Sequence, residues 1–203
     1  MSERREHDFY ETPAFCVTRL LETQGDTFGR RILEPSAGDG AIVRAVDEFY
    51  AELGSNEMEW TLIELREERR KSLAQLGRVH IGDFLSVTEA LRAHEHDTII
   101  GNPPFSLAEE FVRSCVDLAR SWKSPGQTIM LLRLAFLETK ERVTLFRDLG
   151  MPDVYVLPNR PSFTANGSSD TAAYAWMRWP AEKQTTGRVR VLASTPLHQR
   201  RAS

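Results

Sequence analysis

The sequence holds only two cysteines, Cys16 and Cys115, far apart and without a CxxC pair, so neither a disulfide framework nor a thiolate metal site is expected. Its five histidines (His7, His80, His94, His96 and His198) make no zinc-like spacing with them, which leaves no metal candidate. No apolar run approaches the roughly 18 residues of a membrane span, and the charged start Met1-Ser-Glu-Arg-Arg-Glu-His-Asp8 has no signal-peptide core. The expected compartment is the cytoplasm, with no membrane partner. Net charge is scarce as well: 26 Lys and Arg against 29 Asp and Glu leave −3, too little to argue for a nucleic acid by itself. A chain of 203 residues has room for one ordinary domain and not for a second large recognition domain.

What is present describes a soluble globular protein, 41% hydrophobic and 27% charged. Its charge is unevenly spread. Residues 1–100 carry 12 basic and 20 acidic side chains, whereas residues 101–203 carry 14 and 9. The second half is the better candidate for touching phosphates, unless these are ordinary surface charges on different faces.

Short apolar runs alternate with amphipathic stretches, the pattern of an α/β sheet domain. Strands are expected near 31–35, 60–65, 79–83, 98–102, 128–134, 154–157 and 172–179, with helices between them. In 107–122, Leu107, Phe111, Cys115, Leu118, Ala119 and Trp122 recur at helical spacing, opposite Glu109, Glu110, Arg113 and Asp117. Residues 41–53 show a similar stripe and 137–148 a weaker one. For 128–137 a buried helix is the alternative to a strand, because an apolar run has no diagnostic period. Residues 159–170 are rich in turn formers and read as a loop that could close over a substrate. A single domain over 1–193 is expected, followed by a polar, poorly ordered tail over 194–203.

Two segments carry chemistry. Arg31-Ile-Leu-Glu34-Pro35-Ser36-Ala37-Gly38-Asp39-Gly40 is a strand running into a glycine turn and then a helix. Gly38 and Gly40 let backbone approach a ligand, and the N–H groups of the helix start favour an anionic group. Glu64 ends the next strand, 24 residues beyond Gly40, where a carboxylate can accept from both hydroxyls of a ribose. Asp83, ending the strand after that, can accept from an adenine amino group. Three acids at the carboxyl ends of consecutive strands point to one crevice; the alternative is that they cap helices. Gly38-Asp39-Gly40 is followed by Ala-Ile-Val, so the GxGxxG spacing of a dinucleotide site is absent.

The second segment is Asn102-Pro103-Pro104-Phe105, a turn at the end of an apolar strand. Proline has no N–H, so this turn presents the Asn102 side chain and main-chain carbonyls with few competing donors. An NH₂ group held by the Asn102 oxygen and the Pro103 carbonyl would have its lone pair aimed at an electrophile. Phe105 offers a flat apolar face for a planar base or amide.

With both segments the sequence resembles the class I methyltransferases, and among them the amino-group DNA methyltransferases of small phage or mobile-element type. Phe9-Tyr10-Glu11-Thr12-Pro13 is similar to the amino-terminal block that contacts the methionine part of the cofactor, Glu34 to Gly40 to the cofactor loop, and Asn102 to Phe105 to the catalytic tetrapeptide. The resemblance implies a Rossmann-like, mostly parallel seven-stranded sheet with its last strand antiparallel and helices on both faces. It implies S-adenosylmethionine as methyl donor and transfer to the N6 amine of an adenine flipped out of DNA. Tyr10, Thr12, Pro13, Glu34, Pro35, Ser36, Gly38, Gly40, Glu64, Asp83, Phe84 and Asn102 would then line the cofactor site, and Asn102, Pro103, Pro104 and Phe105 the catalytic one. Arg160-Pro161-Ser162-Phe163 is similar to a later block whose aromatic residue contacts the flipped base. Phe163 would close the pocket opposite Phe105 or pack locally, and Arg160 would hold a phosphate or brace the loop. A large target-recognition domain, present in the larger family members, has no counterpart, which leaves sequence specificity to a partner or to none. Alternatives are an RNA base amine, a protein glutamine amide, or an inactive fold serving as a binding subunit. A homodimer is equally open.

Overall fold

The computed structural model describes residues 11–55, 58–161, 171–196 and 198. Seven strands lie where the patterning predicts them: β1 (Arg31–Glu34), β2 (Glu59–Glu64), β3 (Arg78–Ile81), β4 (Thr98–Gly101), β5 (Gln127–Arg133), β6 (Asp153–Val156) and β7 (Tyr174–Trp179). The ambiguous segment is strand as far as Arg133 and then turns through a 3-10 stretch, Leu134–Leu137. Ile129 and Leu131 face one side of the sheet and Met130 and Leu132 the other, all buried. Burial on both faces is why this run shows no period.

The sheet order is β3-β2-β1-β4-β5-β7-β6-β8. β3, β2, β1, β4 and β5 run parallel, and β7 is antiparallel to both β5 and β6. The expected count of seven is corrected to eight among the described residues. The extra strand, β8 (Val189–Val191), pairs in parallel with β6 at the edge. All three of its residues are exposed, so no burial pattern marked it in the sequence.

Helices cover both faces. α1 (Ala14–Gln24), α2 (Ala41–Glu52) and the single turn α3 (Arg70–Leu73) lie on one, and α4 (Phe84–Leu91), α5 (Ala108–Ser121) and α6 (Val143–Leu149) on the other. Strand residues alternate between the two cores: Ile32 and Trp176 join the first, Leu33 and Met177 the second. Helix α1, which the sequence reading did not single out, buries Cys16, Val17, Leu20 and Leu21, a helical stripe. It is fastened by Trp176, whose indole N–H donates to the Cys16 carbonyl at 2.8 Å. The weak stripe of 137–148 resolves into a 3-10 turn, Lys140–Arg142, followed by α6.

The tail reading needs correction at its start. Thr195 is buried and takes a hydrogen bond from Arg19 Nε at 3.0 Å, while its own N–H donates to Asn159 Oδ1 at 2.5 Å. Polar composition does not preclude docking when fixed partners await it. Among the described residues no group of His, Cys, Asp and Glu could hold a metal ion, and no helix is long and apolar enough to cross a membrane. Both cysteines are free and buried.

Leu131 is fully buried in the central strand β5, whereas Val191 on β8 is 64% exposed. Leu131→Ala is expected to cost about 2–5 kcal/mol by urea denaturation, and Val191→Ala no more than about 0.5 kcal/mol. Comparable losses would mean that β8 contributes to the core as an inner strand does.

Candidate functional site

Strand order reverses between β1 and β4, which are neighbours in the sheet although the chain passes through β2 and β3 between them. In open α/β sheets the crevice at such a switch point is where ligands bind. Here β1 delivers Glu34 and the glycine turn, and β4 delivers Gly101 and the Asn-Pro-Pro-Phe turn, to the same end of the sheet. A cleft of about 630 Å³ opens there. Gly101 packs against Pro35: a Cβ at this position would lie 3.2 Å from Pro35 Cδ, so a side chain there would crowd the first turn.

The glycine turn is held in place from within. Gly38 and Gly40 have φ of +57° and +79°, the left-handed region that favours glycine. A Cβ on Gly40 would also meet Leu76 Cδ1 at 2.4 Å. Ala37 N–H donates to the Ile63 carbonyl at 2.9 Å and Gly38 N–H to Glu64 Oε2 at 2.7 Å. The other Glu64 oxygen accepts from Arg66 N and Arg66 Nε at 3.0 and 2.8 Å. Glu64 therefore does not cap a helix; it joins the end of β2 to the turn after β1. Asp83 does cap one, its Oδ1 accepting from Leu85 N at 3.1 Å at the start of α4. It lines the cleft as well.

Six carboxylates line the cleft, those of Glu11, Glu34, Asp39, Glu64, Glu68 and Asp83; Arg66 lies on its wall beside Glu64, Arg69 pairs with Asp39, and Arg44 lies 3.9 Å from Glu11, so the acids outnumber the guanidinium groups around them by two to one. A phosphate-rich ligand would meet net repulsion, whereas a cationic one with hydroxyl and amino donors would be attracted. Glu34 is the most confined of the six, 2% exposed, and its Oε2 bonds to nothing among the described residues. Burial holds its carboxyl well above the usual range, the nearby Glu64 pushes it further, and Arg44 only partly offsets this. An unpaired buried acid on a cleft wall is costly unless a ligand answers it.

The second turn presents acceptors. The Asn102 carbonyl accepts from Ser36 Oγ at 3.2 Å, and that of Pro104 from Leu107 N at 3.0 Å. The Pro103 carbonyl has no donor among the described residues. The Asn102 amide nitrogen donates to Thr12 Oγ1 at 3.1 Å. Beyond the turn the Phe105 ring lies 5.8 Å from that of Tyr174, and the Arg133 guanidinium sits 4.5 Å above it.

No family model matches the sequence, and no curated protein does. Solved structures do. A type I restriction-modification methyltransferase subunit from Streptococcus thermophilus superposes with a TM-score of 0.68 at 13% identity, covering 94% of this chain and 51% of that one. A protein assigned to the class I S-adenosylmethionine-dependent methyltransferases from Listeria monocytogenes gives 0.63 at 13% identity, over 89% and 64%. One assigned as an RNA methyltransferase from Pyrococcus horikoshii gives 0.60 at 18% identity, over 84% and 85%. The chain has the class I methyltransferase fold. At these identities the likeness is one of fold, and the chain spans about half to two thirds of the length of the first two proteins.

S-adenosylmethionine, which the class I fold implies, can be tested against the cleft. Its ammonium and sulfonium suit an acid-lined wall, and Glu34 offers a buried oxygen without a partner. Of the residues singled out from sequence, Thr12, Glu34, Pro35, Ser36, Gly38, Glu64, Asp83, Phe84, Asn102 and Pro104 line the cleft. Pro13, Gly40, Pro103 and Phe105 are not among its lining residues, and Arg160 is exposed on the loop after β6. Tyr10 and Phe163 lie outside the described residues. Sequence reasoning missed Leu65, 57% exposed beside Glu64 on the cleft lip, and Leu107 and Phe111 on the far wall. An apolar residue directly after a strand-ending acid was the available signal for Leu65.

Because the folded Glu34 carboxyl is raised, its contribution to stability is present below the ordinary carboxylate range and is lost as pH rises toward its folded value. Glu34→Gln does not titrate, so its stability relative to the parent protein is expected to grow between pH 4.5 and pH 8 in thermal melts. A flat or falling difference would mean that Glu34 is ionised in the folded chain.

Proposed function

We propose that this chain transfers a methyl group from S-adenosylmethionine to the exocyclic N6 amine of adenine in DNA, with the base flipped into the Asn-Pro-Pro-Phe site. The observation that carries this reading is the juxtaposition of two opposite chemistries at one switch point. An acid-lined cleft suited to a cationic nucleoside adjoins a turn whose polar groups are suited to accepting from an NH₂.

When bound, the cofactor supplies an electrophilic methyl group. The chain's own residues hold and orient. Glu34 answers the ligand's ammonium. Glu64, with one oxygen already committed to Gly38 N, takes a ribose hydroxyl once Arg66 gives way, and Asp83 accepts from the adenine amino group. Leu65 and Phe84 provide apolar surface for the adenine ring. At the second turn Asn102 Oδ1 and the Pro103 carbonyl accept from the target amine. They orient its lone pair toward the methyl carbon and stabilise the positive charge that grows on nitrogen. Phe105 stacks on the target base, with Arg133 backing the ring.

DNA is favoured over other amine acceptors by two features. The Thr12-Pro13 pair belongs to the block that resembles DNA enzymes, and the type I restriction-modification subunits are among the structural neighbours, with a TM-score of 0.66 for a second one, the M protein of EcoKI. The acceptor side also carries the Arg133 guanidinium, over the Phe105 ring. Phosphate contacts position a substrate without reading its sequence, so a partner subunit supplies specificity in this reading.

The test is transfer of labelled methyl from S-adenosylmethionine to duplex DNA, single-stranded DNA, RNA and a protein extract in parallel, followed by mass analysis. N6-methyladenine in DNA is the expected product; label confined to RNA or protein would overturn the substrate and keep the chemistry. Cofactor binding without transfer to any acceptor would favour an inactive binding subunit. Asn102→Ala is expected to lower transfer roughly 100-fold or more while leaving S-adenosylhomocysteine affinity in place, and equal loss of both would remove its assigned role.

Asp83 can be examined separately from its capping duty. Asparagine caps as well as aspartate does, so Asp83→Asn should keep the melting temperature yet weaken S-adenosylhomocysteine binding roughly tenfold in calorimetry. Unchanged affinity would put the adenine elsewhere.

A further inference from the structure

Asn102 and Thr12 stand 90 residues apart in the chain, yet the Asn102 amide nitrogen donates to the Thr12 hydroxyl at 3.1 Å. Thr12 is 4% exposed and forms part of the cleft wall. It immediately precedes Pro13, which opens α1 at φ −60° and ψ 135°, and a residue before proline is confined to extended backbone. Helix α1 is itself anchored through Cys16, whose N–H donates to the Pro13 carbonyl at 2.9 Å and whose carbonyl takes the Trp176 indole. On the other side Ser36 Oγ fixes the Asn102 main-chain carbonyl. The hydroxyl that meets Asn102 thus comes from a rigid element and touches the same cleft as the glycine turn.

An asparagine amide has two orientations of nearly equal shape and opposite hydrogen-bonding sense. Only the one with oxygen toward the acceptor can bind an NH₂ group; the other would set donor against donor. A threonine hydroxyl can donate or accept, so by itself it allows both orientations. Once its proton is given to an acceptor in the cleft, however, its oxygen can only accept, and the amide nitrogen must be its partner. A carboxylate on a bound amino-acid moiety is such an acceptor.

Resting on the function proposed above, we infer that Thr12 is a positioning residue: its hydroxyl, oriented by the filled cleft, turns the Asn102 amide so that oxygen faces the substrate amine. Filling the first site then prepares the second. This differs from a role as a cofactor contact alone, which would affect binding and not the step that follows.

Thr12→Val removes the hydroxyl at nearly constant volume, and Thr12→Ser keeps it. At saturating cofactor, Thr12→Val is expected to lower kcat for the methylated acceptor roughly 10- to 100-fold, beyond any rise in cofactor KM, with Thr12→Ser restoring it. A second readout needs no turnover. The Asn102 side-chain amide protons, assigned by their loss in Asn102→Ala, are expected to shift and exchange more slowly when S-adenosylhomocysteine is added to the parent protein and to Thr12→Ser, but not to Thr12→Val. A Thr12→Val protein with weaker cofactor binding but parental kcat and an unchanged amide response would overturn the inference. If the parent protein methylates no acceptor, the proposed function fails, and the amide signals still decide for or against Thr12.

Discussion

Strand β4 is hydrogen-bonded to β1 in parallel register, Ile32 beside Thr98 and Leu33 beside Ile99, although the whole of β2 and β3 intervenes in the chain. That pairing forces the two loops leaving the sheet at its carboxyl end to share one crevice. It holds because both strands are buried on both faces, with Ile32, Leu33, Ile99 and Ile100 fully enclosed. At their edge Asp97 accepts from Arg30 N and Arg31 N, both at 2.9 Å, and pairs with the Arg31 guanidinium at 2.7 Å. The glycine turn and the Asn-Pro-Pro-Phe turn are then joined directly by the Ser36 hydroxyl, which donates to the Asn102 carbonyl at 3.2 Å. A slip of one residue would exchange the faces of β4 and turn its apolar side chains out of their cores.

Charge then divides the crevice. One side collects carboxylates, an arrangement unfavourable for folding, and Glu34 carries the largest part of that cost because it is buried without a partner. Glu64 is spared it by serving structure: Gly38 N and Arg66 already occupy its oxygens. The cleft is consequently preorganised in its backbone and strained in its electrostatics. A cationic ligand relieves the second without disturbing the first, which makes for affinity with little rearrangement.

How much of this the sequence disclosed follows from what each element owes to local pattern. The six inner strands and helices α2 and α5 were legible because burial imposes period and composition on them, and the edge strand β3 by its half-buried Val79 and Ile81. β8 was not, since three exposed residues at an edge carry no such imprint. The extent of α6 was blurred by the 3-10 turn before it. In the site, Glu34, Glu64 and Asp83 were recognisable by position at strand ends, yet their differing duties were not. That Asp83 caps α4, that Glu64 braces Gly38 and that Glu34 lacks a partner depend on distances between segments. The acidity of the cleft was hidden for the same reason: Glu11 and Glu68 look like surface charges until the fold brings them together with the strand-ending acids.

The same dependence on long-range placement links the two sites. Ser36 from the cofactor turn holds the main chain of Asn102, and Thr12 from the segment before α1 meets its side chain. Two segments distant in sequence thus converge on one asparagine, and both also wall the cleft. A residue that must present a single hydrogen-bonding sense to its substrate cannot rely on its own shape, because the amide is nearly symmetric in outline. Its orientation has to come from partners whose donors and acceptors are themselves committed, and in this fold the partners are walls of the acid-lined cleft. In the function proposed above, groups that receive the donor also order the acceptor.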